Sequence, residues 1–164
     1  MFYLLVSGFL IAMVLIDQLI KFAVVKNLQP ILIYELIPGI FRLRYVENSG
    51  AIFGSFSGSV VILTIFSSAI VAITLYLLIT KRVTSKYVFA CLLLMASGGV
   101  GNLVDRIRLG YVIDYLEPIF INFAVFNFAD CLITVGACLL IVYLIKDFAA
   151  DMKNNKNKVK SYNE

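Results

Sequence analysis

Apolar positions in this chain run in four long blocks separated by short polar stretches, without the amphipathic rhythm of a water-soluble fold. The first block extends from Phe2 to about Val25 and is interrupted by Asp17, Gln18 and Lys21. The second, Val60 to Ile79, carries no charge, and the third, Tyr87 to Val104, stays apolar until Asn102. The fourth, Cys131 to Ile145, reaches spanning length once the apolar residues around Phe126 to Asp130 are counted with it. A helix crosses the hydrocarbon core with about 20 apolar residues. Four spans are therefore predicted, over residues 2–25, 60–79, 87–104 and 127–145. The first block lacks the basic region and small-residue cleavage site of a signal peptide, so it is expected to stay in the protein.

The period changes between the blocks. Phe41-Arg42-Leu43-Arg44-Tyr45 alternates apolar and basic as a half-buried strand does, with turn chemistry at Pro38-Gly39 before it and Asn48-Ser49-Gly50 after it. This predicts a small antiparallel sheet on the outer membrane face. Pro118 to Phe126 reads as a strand or interfacial stretch lying against the bilayer near that sheet. The expected fold class is an all-α membrane protein, a four-transmembrane-helix bundle with a small extracytoplasmic β-sheet. Residues 1–147 form one domain, with outer segments at about 26–59 and 105–126. The tail 148–164, rich in Lys and Asn, is expected to be disordered.

Composition supports the lipid environment: 62% of residues are hydrophobic and 15% charged, and the mean hydropathy is +0.97. Such a chain has too little polar surface to cover a globule of 164 residues. The net charge of +4 points to anionic lipid and away from nucleic acid, because the lysines gather at one end. The absence of His removes Ser-His triads and the usual zinc and haem sites, and neither a metal nor a cofactor is expected. Cys91, Cys131 and Cys138 fall in apolar stretches and read as small buried residues.

Basic residues in short loops set orientation. Lys81, Arg82 and Lys86 fill one link, and Lys146, Lys153, Lys156, Lys158 and Lys160 crowd the tail, so both regions are expected in the cytoplasm. An even number of spans puts both termini there. Arg42, Arg44, Arg106 and Arg108 run against this rule, and their nearness to carboxylates suggests site or structural work.

The chemistry centres on Asp114 in YVIDY and Asp130 in FNFAD, each at the edge of an apolar segment. A carboxylate at membrane depth costs roughly 3 kcal/mol on insertion scales, so two that converge suggest a functional site. Two close carboxylates cannot both ionise cheaply; sharing one proton, they can act as base and acid and activate a water. The competing structural reading has Arg106 or Arg108 neutralising each acid. Asp17 and Lys21 stand at i and i+4, where they can pair on one helix face. Gly98-Gly-Val-Gly101 signals close helix packing, since no strand precedes it and no Gly-Lys-Ser/Thr follows. At its outer end stand Asn102, Asp105 and Arg106, and an Arg there can hold a carboxylate bidentately.

Two other classes compete. A small proton-coupled transporter also carries intramembrane acids, but usually mid-span and with an inverted repeat between halves. Here the acids cluster at one membrane face and no repeat is evident. A purely structural assembly subunit leaves the acids unexplained.

Five motifs in order resemble the lipoprotein signal peptidases, the type II signal peptidases of bacteria. They are Asp17-Gln-x-x-Lys21, Asn48-x-Gly-Ala-x-Phe-Gly54, Gly101-Asn-x-x-Asp-Arg106, Val112-Ile-Asp-Tyr115 and Phe126-Asn-x-Ala-Asp130. The resemblance covers most of the chain up to Asp147 and implies an aspartic endopeptidase with Asp114 and Asp130 as its catalytic pair. Asp17, Lys21, Asn48, Gly50, Asn102, Asp105, Arg106, Asn127 and Ala129 would line or support the site. The implied substrates are prolipoproteins, cut just before a diacylglyceryl-modified cysteine at the outer face of a bacterial cell membrane. The expected enzyme is a multi-pass monomer whose partners are its substrates and membrane lipid.

Overall fold

The computed structural model describes residues 2–50, 60–80 and 82–162. Its four long helices are α1 (Phe2–Asn27), α2 (Val60–Ile79), α3 (Lys86–Leu109) and α4 (Phe128–Tyr162). All four are long and apolar enough to cross a membrane, the stretch of α4 that qualifies being Phe128–Lys153. Three strands, β1 (Ile33–Ile37), β2 (Phe41–Asn48) and β3 (Val112–Pro118), form one antiparallel sheet in the order β1-β2-β3.

Helix α3 packs against each of the other three. Its small residues explain why. A Cβ on Gly98 would run into the Ala129 carbonyl oxygen of α4, and one on Gly101 would stand 2.7 Å from Asp17 Oδ2 of α1. Gly136 of α4 answers from the other side, where a Cβ would lie 2.7 Å from the Cys91 carbonyl oxygen. Without water to drive helices together, such close approach supplies the dispersion contacts that hold a bundle in lipid.

The helix ends follow local chemistry. Ser85 caps α3 by accepting the Val88 N–H, and Gly110, at φ 79°, closes it with its N–H on the Arg106 carbonyl. That left-handed residue is cheap only for glycine, and it sends the chain directly into β3. At the other end of the sheet Gly39, at φ 76°, turns β1 into β2. The sheet rests on the end of α1: Val24, Leu28, Ile113 and Tyr115 form a buried cluster, with Leu43, Tyr45, Tyr111 and Leu116 packed against it.

Four expectations need adjusting. The strand of the second outer segment is Val112–Pro118, and of the stretch from Pro118 to Phe126 only the two ends join the sheet, Pro118 as the last residue of β3 and Phe126 by a bridge to Leu116. Acids at 114 and 117 had masked a strand; in the fold Glu117 is held by Arg42 and Arg44, and Asp114 by asparagine amides. Helix α3 continues to Leu109, because Asn102 and Asp105 turn inward to the bundle and are buried. The tail expected to be disordered continues α4 as helix to Tyr162, in keeping with the helix-forming Ala149, Ala150, Met152 and Lys153 at its start. Cys138, expected inside, is exposed, while Cys91 is buried; all three cysteines are free thiols.

Candidate active site

Asp114 and Asp130 reach the site from different elements. Asp114 stands in the middle of β3, and Asp130 lies in the first turn of α4. Asn127 caps that turn. Its Oδ1 accepts the Asp130 N–H at 2.9 Å, and its own N–H donates back to Asp130 Oδ2 at 3.1 Å. This reciprocal capping box fixes the Asp130 carboxylate at a helix N-terminus, where the helix dipole favours negative charge.

The remaining α4 amides that lack helical partners are also used. Phe128 N–H donates to the Tyr115 hydroxyl at 3.2 Å, and Ala129 N–H to Asp17 Oδ1 at 3.1 Å. Helix α4 is thereby tied to β3 and to α1 within a few residues of Asp130. Backbone bonds repeat the tie, since Tyr115 and Leu116 both donate to the Phe126 carbonyl, at 3.0 and 2.8 Å.

Three asparagine amides bind the two acids. Asn127 Nδ2 donates to Asp114 Oδ1 at 2.6 Å, Asn48 Nδ2 to Asp114 Oδ2 at 2.8 Å, and Asn102 Nδ2 to Asp130 Oδ1 at 2.7 Å. Asn127 Nδ2 also donates to Asn102 Oδ1 at 3.1 Å, so one amide chain links both carboxylates. Gly50 N–H donates to Asn48 Oδ1 at 3.0 Å in an Asx turn, which aims the Asn48 amide at Asp114. Asp114 is buried, and that burial pushes its carboxyl up to about 6; the nearby Asp130 charge adds to the rise, while the Asn48 and Asn127 bonds oppose it.

Below the pair lies a buried ionic layer. Lys21 bridges Asp17 Oδ2 at 2.9 Å and Asp105 Oδ2 at 2.7 Å, and all three residues are 1% exposed, too buried for this to be a solvated surface pair. Asp105 also accepts the Ile113 N–H at 3.3 Å, which anchors the strand just before Asp114.

The sequence-predicted residues thus converge, with two adjustments. Neither arginine neutralises an acid by direct pairing. Arg108 donates to Gln18 Oε1 at 3.3 Å, and Arg106 makes no ion pair among the described residues. Ala129 contributes its backbone N–H, and its side chain sits in the α3–α4 contact. Sequence reasoning missed Gln18 and the Tyr115 hydroxyl. Gln18 donates to Asp105 Oδ1 at 2.9 Å and to Asp17 Oδ2 at 3.2 Å. An amide inside an apolar span was itself a signal, and so was the Asn-x-x-Asp spacing of the capping box. The part of the second motif at residues 51–54 lies outside the described residues.

The structure thus presents a four-helix bundle of membrane-spanning length with a carboxylate pair held by amide donors at one end. Comparison with known proteins narrows the class. Residues 9–146 match the family described as Signal peptidase (SPase) II. A lipoprotein signal peptidase of Streptococcus thermophilus (strain CNRZ 1066) is 37% identical over 138 residues, covering 84% of this chain and 90% of that protein. One of Streptococcus pyogenes serotype M5 (strain Manfredo) is 38% identical over 138 residues, covering 84% and 91%. Two solved bacterial membrane enzyme structures share the fold. One has a TM-score of 0.81 at 27% identity over 88% of this chain and 90% of its own. The other has 0.76 at 28% over 87% and 93%.

The chain belongs to the signal peptidase II family. A transporter, the alternative weighed from the sequence, finds no support in these comparisons.

Proposed function

We propose that this chain is an aspartic endopeptidase that removes signal peptides from prolipoproteins, with Asp114 and Asp130 as its catalytic pair. The observation that carries the reading is the amide chain linking the buried Asp114 to the half-buried Asp130, through Asn127 and Asn102. It supports a pair held close and dry enough to share one proton.

Chemistry follows from that proton. The ionised carboxylate takes a proton from a water, whose oxygen attacks the scissile carbonyl; the protonated partner donates to the carbonyl oxygen as it becomes a hydroxyl. In the collapse of the tetrahedral intermediate the first acid passes its new proton to the leaving amine, the C–N bond breaks, and the second recovers its own. Burial favours this sequence, since an excluded-water site strengthens each hydrogen bond to developing charge. Every group used belongs to one chain, so a single copy suffices.

The substrate reading is supported by depth. The candidate pair sits where a span meets the sheet, so the bond to be cut must be held at the membrane interface. Two acyl chains on the modified cysteine, each contributing about 0.8 kcal/mol per buried CH₂, would fix that depth against sliding of the signal helix. Orientation in a bacterial cell membrane with both termini in the cytoplasm and the site outside rests on the basic loop and tail.

A matched pair of peptides tests the substrate. In one detergent, the diacylglyceryl-modified peptide is expected to be cut at least about a hundredfold faster than the same peptide with a free cysteine, a modest share of what positioning contributes. Equal initial rates would show that the lipid is not read.

A further inference from the structure

The buried Lys21 touches neither candidate catalytic carboxylate, yet every donor on its ammonium is committed: Asp17 Oδ2 at 2.9 Å, Asp105 Oδ2 at 2.7 Å and Asn102 Oδ1 at 2.9 Å. Two fixed donors determine how the amide chain points. The backbone N–H of Asp130 claims Asn127 Oδ1, which leaves the Asn127 amino group to donate to Asp114 and to Asn102 Oδ1. Lys21 claims that same Asn102 oxygen, which leaves the Asn102 amino group to donate to Asp130 Oδ1 at 2.7 Å. An ammonium has no acceptor. Turning Asn102 over would set its amino group against Lys21 and Asn127, and its oxygen against the Asp130 carboxylate.

From this geometry we infer that Lys21 is a positioning residue for the Asp114–Asp130 pair: it locks Asn102 in the one orientation that donates to Asp130, and through that amide sets the pH range in which the pair works. The inference rests on the reading of Asp114 and Asp130 as catalytic. The charge of Lys21 acts in the same direction as the bond it directs, because a cation in a dry layer favours the ionised form of both acids. The other charged groups around it are Asp17 on α1 and Asp105 and Arg106 on α3, with Asp114 reaching in from β3 and Asp130 from α4. Arg108 reaches the layer only through Gln18.

The sign of the effect is therefore fixed. Without Lys21, each acid of the pair holds its proton to higher pH and Asn102 is free to turn. Lys21→Met is expected to lower kcat on a lipidated peptide about tenfold or more, the scale of one hydrogen bond to a charged group. KM should stay unchanged, and the pH–rate profile should move up by roughly one pH unit. Because this change strips Asp17 and Asp105 of their counter-ion, Lys21→Met/Asp105→Asn serves where the single variant fails to fold; it removes one charge of each sign, so a smaller upward displacement is expected of it, from the released Asn102 alone. A uniform loss at every pH, with the profile in place, would mean that Lys21 only holds the bundle together and would overturn the inference. So would unchanged kcat. Asp114→Asn measured alongside separates the two readings: cleavage by that variant removes the catalytic pair itself, whereas an inactive Asp114→Asn beside an undisplaced Lys21→Met profile removes only the role of Lys21.

Discussion

At the residue scale, what distinguishes Asp114 from an ordinary strand acid is that each of its oxygens accepts one amide donor while the carboxyl is buried. Burial raises its proton affinity, to about 6, and the Asn48 bond is the largest influence pulling the other way. The consequence has a definite sign. Burial lets Asp114 hold a proton up to about 6, so its ionisation above that value contributes to a descending limb in kcat/KM against pH. Asn48→Ala removes a bond that favours ionised Asp114, so the descending limb of kcat/KM against pH should move to higher pH, with a lower maximum. A limb that stays put or moves down would show that Asn48 does not tune this acid. Asp114 and Asp130 were legible in the sequence because a carboxylate at membrane depth is expensive and so stands out, whereas Asn48 read as a turn residue and Asn127 was marked only by the family resemblance. The direction of each bond was not legible. Arginine was the obvious counter-ion on charge alone, yet the buried cation is Lys21; its pairing with Asp17 could be read from the i,i+4 spacing, but its second partner, Asp105, comes from a helix that spacing cannot bring to it.

At the element scale, span α2 coincided with its apolar block, because nothing polar on it is needed elsewhere. Helix α3 ran past its block for the opposite reason. Its outer turn carries Asn102 and Asp105, which hydropathy counts against a helix but which the bundle satisfies with Lys21, Asn127 and Gln18. Strand β3 was hidden in the same way by Asp114 and Glu117, whose partners lie on β2 and at the start of α4. The small residues Gly98 to Gly101 of α3 were read correctly as packing residues, since small side chains within a span are what close helix approach requires. What hydropathy loses is any element whose polar groups are answered at long range, and here those elements build the site.

At the scale of the whole molecule, the four blocks and the alternating outer segment were enough to specify a bundle with a small sheet, because lipid permits few other arrangements of such a chain. Sidedness is a separate question with its own measurement. In a variant with Cys91, Cys131 and Cys138 replaced by Ala, a cysteine at the exposed position Glu35 should react with an impermeant thiol reagent applied outside intact cells. A cysteine at Thr84, in the basic link between α2 and α3, should be protected. The reverse pattern would invert the protein in the membrane. The central claim, that two carboxylates from β3 and α4 act as one unit, is tested most directly by initial rates on a lipidated precursor for Asp114→Asn, Asp130→Asn and the double variant, each shown to insert and fold. Members of one catalytic unit are not additive, so each single change should cost on the order of 10⁴-fold and the double change little more. Full activity in either single variant, or a double variant whose loss is the product of the two, would contradict it.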